Sequence, residues 1–335
     1  MNSFLGLPVW FFATYIFLIG LCCGSFLNVV ILRGLSGEEF VKSRSKCPKC
    51  NNQLTWYMNI PLFSYIFLKG KCAFCREKIS IQYPIVELVC GLLFLCSYFI
   101  FGLTLKTLFL CFIFFFFIAL CVTDYLEQVI IDYHAYILAI IGFVGSFFNV
   151  FDINWVQSLI GALVGFFFFE ILARIGCLTV KHRFFGEGDS LITLALGAIF
   201  GAKALLVIIP LSFLIQTFFA IPMLSIKAFK ENKKQLAFGY FIVLLSIIAC
   251  FCVNYFNLFK NDNHYLVFVV LISLLLFYSL KNILVELRLK AEQNEQNPDE
   301  NNFNLMPFGP ALVYAGFLVI FWFDEIKNLI NSFLF

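Results

Sequence analysis

The chain has 335 residues, of which 62% are hydrophobic and 13% charged, with 47 phenylalanines and a net charge of +3. A water-soluble protein cannot cover its surface with so few polar groups, which excludes a soluble globular enzyme. The small positive charge follows membrane topology and gives no reason to expect a nucleic-acid partner.

Apolar runs approaching or exceeding the ~18 residues needed to cross a bilayer recur along the chain. They fall at 8–32, 84–102, 105–123, 134–151, 156–179, 189–202, 203–226, 237–257, 265–285 and 309–325. The opening "MNSFLGLPVW" lacks the basic segment of a secretory signal, so the first run reads as a retained helix. The run at 189–202 is short, and its Gly197 and Gly201 point to close helix packing.

Lysine and arginine set the orientation. Alternating the connections between two sides leaves Lys106, Lys203, Lys260 and Lys327 on one side and Arg174 inside a helix. The rest of the 23 basic residues fall on the other side, which is therefore expected to be cytoplasmic, with both chain ends outside.

Nine of the 13 cysteines fall in apolar runs, where cysteine acts as a small hydrophobe. The other four form two C-x2-C hooks, "CPKC" (Cys47, Cys50) and "CAFC" (Cys72, Cys75), separated by 21 residues. That spacing suits a tetrahedral four-thiolate structural zinc site, closed to substrate. Free or redox-active thiols are the alternative; a reducing cytoplasm argues against disulfides. Residues 33–83 are too few and too polar to build a large core, so a metal staple is expected. "NIPLFSYIFLKGK" within this loop is a strand or an interfacial segment. The expected fold is thus an all-α polytopic membrane protein of about 8–10 transmembrane helices with a small cytoplasmic zinc-ribbon-like loop domain.

Acids gather at the expected cytoplasmic helix ends: Asp124, Glu127 and Asp132 in "CVTDYLEQVIIDYH", and Glu187 and Asp189 in "GEGDS". Asp189 and Asp132 each suit a helix N-cap. Asp124 closes a helix, where the macrodipole disfavours an anion, so a chemical role suits it better. Two carboxylates in one site share a proton. The ionised one then takes a proton from water while the neutral one polarises a scissile carbonyl. Gly186 and Gly188 would let the backbone bend and approach a substrate strand.

In order, "GSFLNVVILR" (24–33), the two cysteine hooks, "ISIQYPIVELVCG" (79–91), the Asp124–Asp132 segment, "GEGD" (186–189) and "PFGP" (307–310) resemble the type IV prepilin peptidases. These are inner-membrane aspartic proteases of the GxGD kind. The resemblance implies removal of a short basic leader from prepilins or pseudopilins at the cytoplasmic face of the bacterial inner membrane. It also implies N-methylation of the new terminus with S-adenosylmethionine. Asp124 and Asp189 match the family's catalytic pair, with Asp132 supporting. Glu87 and Gly91 are methyltransferase candidates by the same analogy, Glu87 having the alternative of pairing with a loop lysine. Ile131 and Leu191 replace a proline and a lysine common in the family. No Rossmann-type glycine motif is present.

The expected division is a methyltransferase part (1–102) holding the cysteine loop, a peptidase core (103–226), inserted helices with a polar loop (227–304), and a C-terminal helix (305–335). The partners expected are prepilin-like substrates and the lipid bilayer. The competing reading is a transporter or assembly-platform subunit with a structural zinc site, in which Glu170 and Arg174 form an intramembrane ion pair.

Overall fold

The computed structural model describes residues 8–37, 45–47, 49–180, 185–230 and 308–321. The expected helices at 237–257 and 265–285 and the polar loop after them lie outside the described residues. Among the described residues the elements are α1 (Val9–Ser36), a 3-10 turn (Trp56–Asn59), α2 (Phe63–Phe67), α3 (Gln82–Phe101), α4 (Leu105–Glu127), α5 (Asp132–Phe147), α6 (Trp155–Val180), α7 (Glu187–Lys230) and α8 (Gly309–Phe321).

Among the described residues, five stretches are long and apolar enough to cross a membrane: Val9–Ser36, Gln82–Phe101, Leu105–Glu127, Trp155–Leu178 and Glu187–Ala220. Helices α5 and α8 are shorter apolar helices. The chain is a multi-pass membrane protein. Side chains facing outward are correspondingly apolar, among them Leu92, Phe112, Ile140 and Phe167.

Helix ends follow local chemistry. Helix α1 runs four residues beyond the expected end at residue 32, until Gly37 adopts φ 70° and its N–H closes on the Arg33 carbonyl. The Thr104 hydroxyl caps α4 by accepting from the Thr107 N–H at 3.3 Å.

Helix α7 holds two legs. Gly201 breaks it with φ 77°, ψ 169°, open only to glycine at low cost. The chain reverses there. Gly165 of α6 faces both Thr193 on the first leg and Leu205 on the second. The second leg returns the Phe213 ring to 5.8 Å from Phe185, which precedes α7. This is the division expected between 189–202 and 203–226. At 1.5 Å per residue the first leg, Glu187 to Phe200, is about 20 Å long, short of the ~30 Å hydrocarbon core.

Small residues allow the crossings that bury this short leg. A β-carbon at Gly161 or Gly197 would run into the other's carbonyl oxygen. The Ser158 hydroxyl donates to the Ala198 carbonyl at 2.6 Å. An added methyl in so tight a contact costs about 1–3 kcal/mol. The main core joins α4, α5, α7 and α8 around Phe114, Phe117, Leu138, Ile192, Leu196 and Leu312. A second cluster joins α1, α3 and α4 through Leu27, Ile31, Val86, Cys90 and Ile118.

Candidate active site and metal centre

Asp124 lies in the last turn of α4. Gln128 ends that helix in the left-handed conformation, φ 54°, and its N–H bonds the Asp124 carbonyl at 3.0 Å. The Asp124 side chain points into the bundle, and the residue is 5% exposed.

Asp189 is 6% exposed and sits in the first turn of α7. The helix begins at Glu187, so Asp189 occupies its third position, which corrects the N-cap expectation. Its Oδ2 instead reaches back to accept the Gly186 N–H at 3.1 Å, half of a capping box. The buried Thr193 hydroxyl lies 2.9 Å from the Asp189 carbonyl and 3.0 Å from that of Gly165, tying this turn to α6. Asp132 is also inside its helix, with Ile131 at the N-cap and no side-chain cap there. That corrects the capping expectation for Asp132, which is exposed.

The two carboxylates converge. Asp124 lies within electrostatic reach of Asp189. Gly309, the first residue of α8, closes the space between their helices. A β-carbon on Gly309 would lie 2.5 Å from Asp124 Oδ2 and 3.0 Å from Ile192 Cδ1, one turn beyond Asp189. Asp124 Oδ2 is buried without a hydrogen-bond partner among the described residues. Gly188 faces Ile130 of the α4–α5 connection so closely that a β-carbon would strike it, so its bareness serves packing between the two halves of the site. Gly186 is exposed. Glu127, Asp132 and Glu187 are exposed around the same end.

Reading the sequence missed two features. Phe308 packs with Phe169, Phe185 and Phe213 at ring distances of 5.8, 5.4 and 5.1 Å, an apolar wall beside the carboxylates. The "PFGP" motif was its one signal. His134 is fully buried beside Phe116 and Tyr133, and neither ring nitrogen has a hydrogen-bond partner among the described residues.

The Sγ atoms of Cys47, Cys50, Cys72 and Cys75 all lie within 4.8 Å of one another. Zinc at about 2.3 Å from each thiolate sets tetrahedral S···S separations near 3.8 Å. Cys47 and Cys75 are 3.9 Å apart, so the set fits such a metal. The two hooks are built alike. Lys46 bridges Gln53, and Lys71 bridges Lys78. Asn51 and Arg76, just past each hook, take φ 57° and 61°. The Asn51 and Arg76 N–H groups donate to the first cysteine of each hook, at 2.9 and 3.1 Å. The backbone N–H groups of Cys75 and Phe74 bring the Cys72 thiol down to about 7. For Cys75 the Glu77 backbone favours the thiolate, yet burial and the adjoining Cys72, Cys50 and Cys47 push it up to about 11. Crowded thiols that resist ionising together are what a bound cation relieves.

Between α1, this loop and α3 lies a cavity of about 370 Å³, lined in part by Arg33, Tyr65, Glu77, Tyr83 and Glu87. Glu87 Oε2 accepts the Leu62 N–H at 2.8 Å, in place of the lysine partner considered from sequence. Leu62 is held at φ 60°, ψ −49°, strained for a branched side chain. Gly91 lies elsewhere, at the α1–α3 crossing: a β-carbon on Gly20 would come 2.7 Å from Gly91 Cα. Glu170 and Arg174 do pair, at 3.1 Å, on α6.

Two buried aspartates at neighbouring helix ends, in a multi-pass helical membrane protein that also carries a four-cysteine cluster, are the arrangement an intramembrane aspartic peptidase would use. The model of the type IV leader peptidase family matches residues 111–221, and that of the bacterial peptidase A24 N-terminal domain matches residues 18–101. A prepilin leader peptidase/N-methyltransferase of Neisseria gonorrhoeae is 34% identical over 248 residues, covering 66% of this chain and 84% of its own. One of Myxococcus xanthus is 35% identical over 203 residues, which span 60% of each chain. One of Bacillus subtilis is 31% identical over 195 residues, 57% of this chain and 74% of its own. No solved structure matches the chain. The chain belongs to the type IV leader peptidase family.

Proposed function

We propose that this chain cleaves the leader of type IV prepilins or pseudopilins at the cytoplasmic face of the bacterial inner membrane and then N-methylates the new amino terminus. The observation that carries the peptidase half is the convergence of Asp124 and Asp189, both buried and within electrostatic reach of each other. Family membership and the relatives' names support both halves. The transporter reading is not favoured: the matching family model and relatives are leader peptidases, and its Glu170–Arg174 pair is an i,i+4 contact along one helix with Arg174 exposed.

The dyad acts as a unit with one shared proton. The ionised carboxylate takes a proton from water as the oxygen attacks the scissile carbonyl, and the protonated partner donates to the carbonyl oxygen. Collapse of the tetrahedral intermediate breaks the C–N bond, and a proton from the dyad leaves with the new amine. The Gly186 N–H holds one Asp189 oxygen in place, leaving the other for chemistry. The apolar wall of Phe169, Phe185, Phe213 and Phe308 excludes stray water beside the dyad. Asp132 supports the opening from its exposed position.

The methyltransferase part, 1–102, contains the cavity at Arg33 and Glu87. Its volume lies within the range of small-molecule sites, roughly 300–1,000 Å³. S-adenosylmethionine supplies an electrophilic methyl group when bound. Arg33 suits its carboxylate, and Glu77 suits its ammonium. Glu87 holds the wall through Leu62. The four cysteines hold zinc in a structural role, fixing the loop that roofs the cavity. The peptidase core is 103–226, with α8 (Gly309–Phe321) completing its wall.

Co-expression with a prepilin substrate tests both halves, with mass spectrometry reading leader loss and the added methyl separately. Full-length prepilin recovered unchanged would overturn the reading.

A further inference from the structure

We propose that the outward face of residues 56–67 is a membrane-docking surface, seated at the headgroup and upper acyl boundary of the leaflet that α3 enters. The segment lies between transmembrane helices and carries a patch of large exposed apolar side chains. Trp56 is 80% exposed, Ile66 68% and Phe67 81%, with Tyr57, Ile60 and Phe63 also exposed. Phe63, Ile66 and Phe67 share one face of α2, while Ser64, Tyr65 and Leu68 face inward to the cavity. A patch of this size left in water is costly, so something covers it.

Depth identifies what covers it. Helix α3 has 20 residues, from Gln82 to Phe101. At 1.5 Å each these span about 30 Å, the thickness of the hydrocarbon core, so Gln82 stands near its boundary. Glu87 lies about 8 Å further along the axis. Its carboxylate holds the Leu62 N–H at 2.8 Å. A segment fixed to Glu87 therefore lies at the level of the lipid. The patch is also continuous in kind with the outward surface of α3, where Ile81, Ile85 and Leu88 are exposed.

Its chemistry suits that level. Tryptophan and tyrosine favour the interface, and an interfacial helix buries its apolar face about 5–10 Å into the boundary. Exposed Lys46, Lys49, Lys69, Lys71, Arg76 and Lys78 outnumber Glu77, the one acid from residue 45 to 81, and complement anionic headgroups. Docking would hold the cavity and its metal-stapled roof against the bilayer surface. The inference is independent of the peptidase chemistry.

The test is depth-dependent quenching of Trp56 in the full-length protein in phosphatidylglycerol-containing nanodiscs. Trp10, Trp155 and Trp322, the others of the 4 tryptophans, are changed to phenylalanine. Lipids brominated in the upper acyl chain should quench Trp56 strongly, lipids brominated near the chain end less, and aqueous acrylamide weakly. In the same background, Phe63→Gln with Phe67→Gln should cut bromolipid quenching by more than half, with the proteolytic fragment pattern of the loop preserved. Full acrylamide access without bromolipid quenching would overturn the proposal. So would protection gained only when a prepilin peptide is added, which would assign the face to substrate.

Discussion

Gly309 stands directly against Asp124: a β-carbon on the glycine would lie 2.5 Å from the carboxylate oxygen Oδ2. A side chain there would displace the carboxylate or push α8 away from α4. The bareness of Gly309 thus sets how closely α8 approaches Asp124.

Gly309→Ala should therefore lower leader cleavage by about 10²-fold, as ~1 Å misplacement of a catalytic group does, while the protein still inserts. Initial rates on a prepilin peptide in detergent check it. Rates within a few-fold of the original would mean that the close contact is unimportant.

The metal centre gives a second expectation. Purified protein should hold about one zinc per chain, lost when Cys47 and Cys50 are both changed to serine. Elemental analysis measures it. Absence of zinc with all four thiols freely alkylated under native conditions would remove the centre.

Glu87→Ala should separate the two activities. It leaves the Leu62 N–H without its acceptor, at a cost of about 1–3 kcal/mol to the cavity wall. N-methylation should fall at least about tenfold, with cleavage nearly unchanged. Mass spectrometry of the processed product reads both. Gly91→Ala, at a helix crossing, should lower stability instead, by about 1–3 kcal/mol. Equal loss of both activities in Glu87→Ala would deny the separation.

Much of this architecture was legible because transmembrane helices announce themselves. The expected runs 84–102 and 105–123 became Gln82–Phe101 and Leu105–Glu127. Glycine-rich packing at 189–202 was read correctly, and the junction at 202–203 lies beside the Gly201 reversal. The four cysteines came from spacing alone. The N-cap position was misread at Asp189 and Asp132: each acid lies inside its helix, Asp189 capping from the third position and Asp132 not capping at all. The partner of Glu87 was hidden, since a backbone N–H leaves no mark in sequence. Gly309 opposite Asp124 is a contact between residues far apart in the chain, and local pattern is blind to such pairs.

The exposed acids Glu127 and Glu187 rim the opening and should attract a basic leader. Glu127→Gln with Glu187→Gln should raise KM for a basic-leader substrate a few-fold, about 3–10, with little change in kcat, the pattern of lost uniform binding. The effect should shrink with added salt. Steady-state kinetics at low and high ionic strength check it, and an unchanged KM at low salt would defeat it.

The most direct test of the central claim is leader cleavage by Asp124→Asn and Asp189→Asn, each purified from membranes and compared with the original at equal inserted amount. Each substitution keeps the side chain's shape and removes its ability to share the dyad's proton. Cleavage should fall by several orders of magnitude, about 10³-fold or more, in either single variant, and the double variant should be little worse, because the pair acts as one unit. N-methylation of a pre-cleaved substrate should persist in both. Near-original cleavage by either single variant would contradict the account.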